Sequence, residues 1–156
     1  MLKTAFLISA ALILLYSCEK TCYCESNTMT LKFISYTDDE VDTIEMRRYI
    51  KGTAFSSPID TILITDSANT FSRSADTVTI VAGAERYRFR STFDYTLFLP
   101  SLGRTIRIDS IFEIQDAIEG GKDLQCNCLN RIPYYDLNDS TMRTDSISPS
   151  ILIKRI

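Results

Sequence analysis

The residues with chemistry to offer are five cysteines, a run of arginines and two acidic segments. Cys18 stands alone, and the other four form two C-x-C pairs, Cys22/Cys24 and Cys126/Cys128. Residues i and i+2 of a strand face the same way, so two such pairs on neighbouring strands can be joined by adjacent disulfides. Antiparallel neighbours give Cys22–Cys128 with Cys24–Cys126; parallel neighbours give Cys22–Cys126 with Cys24–Cys128. Bonding inside each C-x-C is the third connectivity and closes a very tight ring. Four thiolates can also hold zinc or copper(I), although structural zinc sites usually space their cysteines two to four residues apart.

Arg86, Arg88 and Arg90 alternate with Tyr87 and Phe89. On a strand, three guanidinium groups would share one face and could bind phosphate, sulfate or an acidic sugar. Arg47, Arg48, Arg104 or Arg107 could enlarge the patch. The plainer reading is a solvated sheet face with cross-strand ion pairs. Asp38-Asp39-Glu40-Val41-Asp42 gathers four carboxylates, and Asp136, Asn138, Asp139 and Asp145 make a looser acidic loop. Neither has the spaced pattern of a calcium loop, and both read as solvated turns. Tyr134 and Tyr135 follow Pro133 in an expected loop; such a pair can stack on sugar rings, or close the end of a core. The chain has no histidine, which removes Ser-His-Asp and Cys-His nucleophiles and the common zinc hydrolase sites. No P-loop or dinucleotide-binding glycine pattern occurs. No catalytic residue, metal or cofactor is expected.

The first residues say where these groups work. Lys3 is followed by an apolar stretch from Ala5 to Leu15, broken only by Ser9. This is the length of a signal-peptide core and well short of the roughly 20 residues that span a bilayer. It ends in Leu15-Tyr16-Ser17-Cys18. That run resembles the lipobox of bacterial lipoproteins, with Leu three positions before the cysteine and a small residue directly before it. The resemblance covers about the first 20 residues. It implies cleavage after Ser17, a diacylglyceryl group on the Cys18 sulfur and usually a third acyl chain on its amine. Residues 1–17 are then a leader, and residues 18–156 are a single β-rich domain tethered through Cys18. The expected location is membrane-anchored outside the cytoplasm, in the periplasm or at the cell surface, with the outer membrane as destination. In that oxidising setting, disulfides among Cys22, Cys24, Cys126 and Cys128 are the expected state.

Composition fits this picture. The formal net charge is −3, with 17 basic and 20 acidic residues, and losing Lys3 makes the remainder one unit more acidic. Such a balance speaks against nucleic acid as a partner. The hydrophobic pattern has mainly period two. Met29, Leu31 and Phe33 alternate with polar residues; Ile44 to Ile50, Thr61 to Thr65, Thr77 to Ala82 and Glu85 to Leu99 follow suit. Pro100 to Gly103 predicts a hairpin turn, Thr105 to Ile114 its return strand, and Ser150 to Ile156 a last strand. Leu124, Cys126 and Cys128 share one expected face. Ile111 to Ile118 is the best candidate for a short helix. Asp followed by Ser or Thr and then Ile or Val recurs at Asp42, Asp60, Asp76, Asp109 and Asp145, which reads as turn chemistry leading into strands.

Nine or so short strands with regular turns predict an all-β fold, an antiparallel β-sandwich of immunoglobulin-like or transthyretin-like type. The hairpin from Asp94-Tyr95-Thr96-Leu97-Phe98-Leu99-Pro100 to Ile106-Arg107-Ile108 resembles one common in small β-sandwich lipoproteins of Bacteroidetes, a group mostly without assigned functions. The expected function is a non-catalytic structural or interaction role in the envelope. The alternative is a module binding glycan or an anionic ligand, and a carboxylate-dependent hydrolase is the least supported.

Overall fold

The computed structural model describes residues 27–66, 70–80, 87–119, 126–144 and 149–155. It is a mostly β structure of two sheets. The strands are β1 (Thr28–Ile34), β2 (Thr43–Ile50), β3 (Pro58–Thr65), β4 (Phe71–Ser74), β5 (Thr77–Ile80), β6 (Phe89–Arg90), β7 (Phe93–Leu99), β8 (Arg104–Glu119), β9 (Cys126–Leu137), β10 (Ser140–Arg143) and β11 (Ser150–Lys154). The smaller sheet runs β11-β1-β5-β4, with β6 also paired to β1; the larger runs β10-β9-β8-β7-β2-β3. One core holds Met29, Leu31, Phe33, Ile80 and Ile151 from the smaller sheet together with Ile44, Met46, Leu97, Ile106 and Tyr135 from the larger. The arrangement is therefore sandwich-like, and period-two alternation supplies one apolar face per sheet.

Two expectations about these elements are corrected. The sandwich is not wholly antiparallel, because β1 and β11 pair in parallel from Thr30↔Ser150 to Ile34↔Lys154. A parallel pair needs a crossover connection, and here the entire intervening chain provides it. Residues 111–118 are strand, not helix. Just before them Ser110, at φ 50°, is an extra residue in β8. Ile108 and Ile111 are consequently both fully buried although three positions apart, as a bulge produces.

The acidic segment 38–41 is a four-residue helix, α1. Its turn is closed by the Thr37 N–H donating to Glu40 Oε2 at 2.9 Å. Pro100–Leu102 forms a single 3₁₀ turn ended by Gly103 at φ 58°, a left-handed conformation that glycine adopts without steric cost. No helix of the described residues is long and apolar enough to cross a membrane.

Two buried tyrosines of the larger sheet reach across to the smaller one. The Tyr95 hydroxyl accepts the Arg90 N–H at 2.7 Å, and the Tyr135 hydroxyl accepts the Leu152 N–H at 2.9 Å. The first holds the two-residue strand β6 in place, and the second satisfies a donor of the edge strand β11. Burial raises the pKa of both phenols, that of Tyr95 to about 12. Removing either hydroxyl leaves a backbone donor unmet, a loss of about 1–3 kcal/mol. Tyr95→Phe and Tyr135→Phe should each lower the unfolding free energy by that amount in urea titrations at constant m-value. A change below a few tenths would show that water replaces the hydroxyl.

Candidate functional site

Cys18, Cys22, Cys24 and Arg86 lie outside the described residues. Arg88 is exposed just before β6, and Arg90 is half-buried within it. The other arginines that could have enlarged a patch are engaged separately. Arg47 pairs with Glu45, Arg48 with Asp60 and Arg107 with Asp139, while Arg104 donates to the Tyr36 hydroxyl. Arg48 also lies over the Phe93 ring, 5.3 Å from its centroid, and holds the Asp60 carboxyl below its ordinary pKa. The 38–42 carboxylates are likewise dispersed: Asp38 and Asp66 both bind Arg73, and Glu40 binds Arg155.

Cys126 and Cys128 lie on β9, with Glu119 and Ala117 of β8 as their backbone partners. The described chain brings the start of the domain close to them. The Asn27 N–H donates to Glu113 Oε1 at 2.5 Å, and its Nδ2 donates to the Asn130 carbonyl at 3.2 Å. Glu113 Oε1 also accepts from Asn130 Nδ2 at 3.1 Å. Five residues further along β9, Tyr135 meets Leu152, which stands opposite Lys32 of β1. Going from Asn27 to Lys32 thus matches going from Asn130 to Tyr135, so β1 runs in the same direction as the part of β9 it crosses.

The most developed surface lies on the outer face of β8, β9 and β10. Tyr134 and Tyr135 are in β9, not in the expected loop. They diverge because successive residues of a strand face opposite sides: Tyr135 is buried in the core and Tyr134 is exposed. Directly opposite Tyr134 stand Phe112 on β8 and Arg143 on β10, and opposite residues of neighbouring strands share a face. The rings of Phe112 and Tyr134 stack at 4.9 Å with 5° between their planes, although they are 43% and 36% exposed.

Two compensating irregularities place that pair. The step from Asp109 to Phe112 takes three residues on β8 against two on β9, and from Phe112 to Ile114 two on β8 against three on β9. Bulges of this kind re-aim side chains and are frequent beside functional sites. An open groove of about 540 Å³ adjoins the pair, lined by Pro133, Tyr134, Thr141, Arg143 and Thr144.

One row further along, Asp109 stands opposite Asp136, which stands opposite Thr141. Thr141 Oγ1 donates to Asp136 Oδ1 at 2.6 Å. Asp94 of β7 extends this row and is only 4% exposed; its Oδ2 accepts the Gly52 N–H at 2.7 Å. Burial first, and then Asp94, Asp136 and Asp139, raise the Asp109 pKa against the opposing effect of Arg107. A carboxyl with a raised folded-state pKa favours the folded state fully below its unfolded pKa, and that contribution is lost as pH rises through the folded value. At neutral pH the ionised Asp109 is therefore a burden. Asp109→Asn should raise the neutral-pH unfolding free energy by about 0.2–1 kcal/mol. Its advantage should vanish near pH 3, as followed by thermal melts across pH. A variant less stable than the parent at pH 7 would refute this. No group of three or more metal-ligating side chains suited to an ion occurs among the described residues.

The sequence singled out Tyr134, Asp136 and Asp139 but gave no sign that Phe112 and Arg143 flank Tyr134, because that adjacency is set by register across three strands. No known protein family, no curated protein and no solved structure matches this chain.

Proposed function

We propose that this protein is an exported lipoprotein, held in the cell envelope by acyl chains on Cys18, whose β-rich domain has a non-catalytic structural or interaction role. The observation that carries the reading is the lipobox run Leu15-Tyr16-Ser17-Cys18 placed ten residues before β1 begins at Thr28. Even fully extended, ten residues reach at most about 33–36 Å, so the folded domain works close to the bilayer. Within the sandwich-like fold, the finer reading is an immunoglobulin-like or transthyretin-like arrangement. It is supported by a chain that crosses between the two sheets four times, the kind of crossing that Greek-key sandwiches make. Disulfides linking Cys22 and Cys24 to Cys126 and Cys128 belong to the same proposal, and the contacts of Asn27 with Glu113 and Asn130 support them.

An interaction role also has a surface to use. Ile50 of β2 and Ile59 and Leu63 of β3 are exposed at the edge of the larger sheet. The test is purification of the lipidated protein from envelopes after mild cross-linking. A partner protein recovered from wild type but lost in Leu63→Asp supports the interaction role. Recovery of uncross-linked protein alone, at native abundance, counts against it.

A further inference from the structure

We propose that the outer face of β8–β9–β10 is a carbohydrate site that takes a neutral, hydroxyl-rich pyranose chain, with Phe112 and Tyr134 as its platform. The inference is independent of the lipid anchor and deepens the interaction role. Three features of the surface select this ligand class over others.

The first is the platform. Phe112 and Tyr134 are exposed and stack on one another, so Phe112 backs the Tyr134 ring that lines the groove, in a segment where the strands depart from regular register on both sides of the pair. Aromatic faces carry negative potential, which suits the slightly positive C–H face of a pyranose ring. The second is the polar surround. Arg143 stands opposite Tyr134 and lines the groove, so its guanidinium can donate to ring and hydroxyl oxygens there. Asp109 and Asp136 offer carboxylate acceptors, and Thr141 adds a hydroxyl. A sugar hydroxyl both donates and accepts, so it can use each of these groups. The third is exclusion. A polyanion would meet the Asp109 and Asp136 carboxylates together, and an apolar protein surface would take both out of water, at heavy cost. The groove, at about 540 Å³, falls within the roughly 300–1,000 Å³ usual for small-ligand sites.

The test uses full-length lipidated protein in a zwitterionic detergent, because sugar-headed detergents would compete. Calorimetric titration and saturation-transfer NMR are run with hexasaccharides of β-1,4-glucose, β-1,4-N-acetylglucosamine, α-1,4-glucose and α-1,6-mannose, with a heparin hexasaccharide as the anionic probe. At least one neutral hexasaccharide should bind with Kd below about 1 mM, where carbohydrate contacts of about 4 kcal/mol fall. Phe112→Ala and Tyr134→Ala should each weaken it about tenfold, equal to about 1.4 kcal/mol, and Arg143→Ala at least threefold. Lys154→Ala, exposed on β11 of the smaller sheet, should leave binding unchanged. Phe112 and Tyr134 are exposed, so their variants should keep the parent melting temperature. The proposal is overturned if no neutral probe binds at about 10 mM. It is equally overturned if binding survives in the Phe112→Ala/Tyr134→Ala double variant, or if only heparin binds.

Discussion

Replacing Cys18 with alanine should abolish acyl attachment and leave residues 1–17 on the chain. The wild-type protein should show a mass greater than that of residues 18–156 by a diacylglyceryl group and an amide-linked acyl chain. It should sediment with membranes through high salt and come away only with detergent. The reason is arithmetic of burial: each methylene in the bilayer contributes about 0.8 kcal/mol, and a single acyl chain holds a protein only marginally, so firm anchoring needs the second and third chains. In the proposed anchor the Cys18 sulfur is the attachment atom, so no other residue type should substitute at position 18. The apolar stretch Ala5–Leu15 cannot take over as an anchor, being too short to cross the hydrocarbon core. The opposite result is also definite. Wild-type protein of 156 residues, free of fatty acid and recovered from cytosol, would remove the envelope role together with its oxidising environment.

Much of the fold was legible because half-buried strands write their burial into the sequence as alternation. Met29, Leu31 and Phe33 are buried as their spacing requires, and β2, β7 and β11 follow where Ile44, Tyr95 and Ile151 stand. The Asp-Ser/Thr-Ile/Val signal introduces β2 at Asp42 and β5 at Asp76. At Asp60 it falls inside β3, because pairing with Arg48 gives that carboxylate a place within the sheet. At Asp109 it marks the bulge before Ile111. One local pattern thus serves three purposes, and only the neighbouring strand decides among them.

What alternation cannot encode is where it breaks. Ile108 and Ile111 share the core face because one residue, Ser110, is inserted between them. The arginine run behaves in a similar way. Among its described residues only Phe89 and Arg90 form strand, and the arginine of the proposed sugar surface, Arg143, comes from β10. Residues 30 or more positions apart, such as Phe112 and Arg143, are brought to either side of Tyr134 by register, which depends on bulges that no single segment announces.

Register also predicts which sulfurs join. β1 and the facing part of β9 run in the same direction, with Asn27 beside Asn130 and Lys32 level with Tyr135 through Leu152. Continuing that direction toward the N-terminus, Cys24 comes three residues before Asn27 and Cys128 two before Asn130; Cys22 and Cys126 come next. The parallel connectivity, Cys22–Cys126 with Cys24–Cys128, keeps both pairs in step, whereas the antiparallel one would require the two segments to run in opposite directions. Only Tyr23 and Asn127 separate the cysteines within each pair, so peptide mapping must cut at both to tell the connectivities apart, and paired substitution is the more direct test. Cys22→Ser/Cys126→Ser should retain one bridge between Cys24 and Cys128, closing a loop of about a hundred residues. That closure contributes up to about 4.7 kcal/mol, less any strain, and the second bridge adds less because the loop is already closed. Cys22→Ser/Cys128→Ser should lose both native bridges and unfold at lower urea by most of that amount, with reductant erasing the difference between the two variants. Equal stability of the two, or the reverse order, would refute parallel pairing. Four free thiols in the aerobically exported wild type, with a melting temperature lowered by chelator and not by reductant, would instead assign the four sulfurs to a metal.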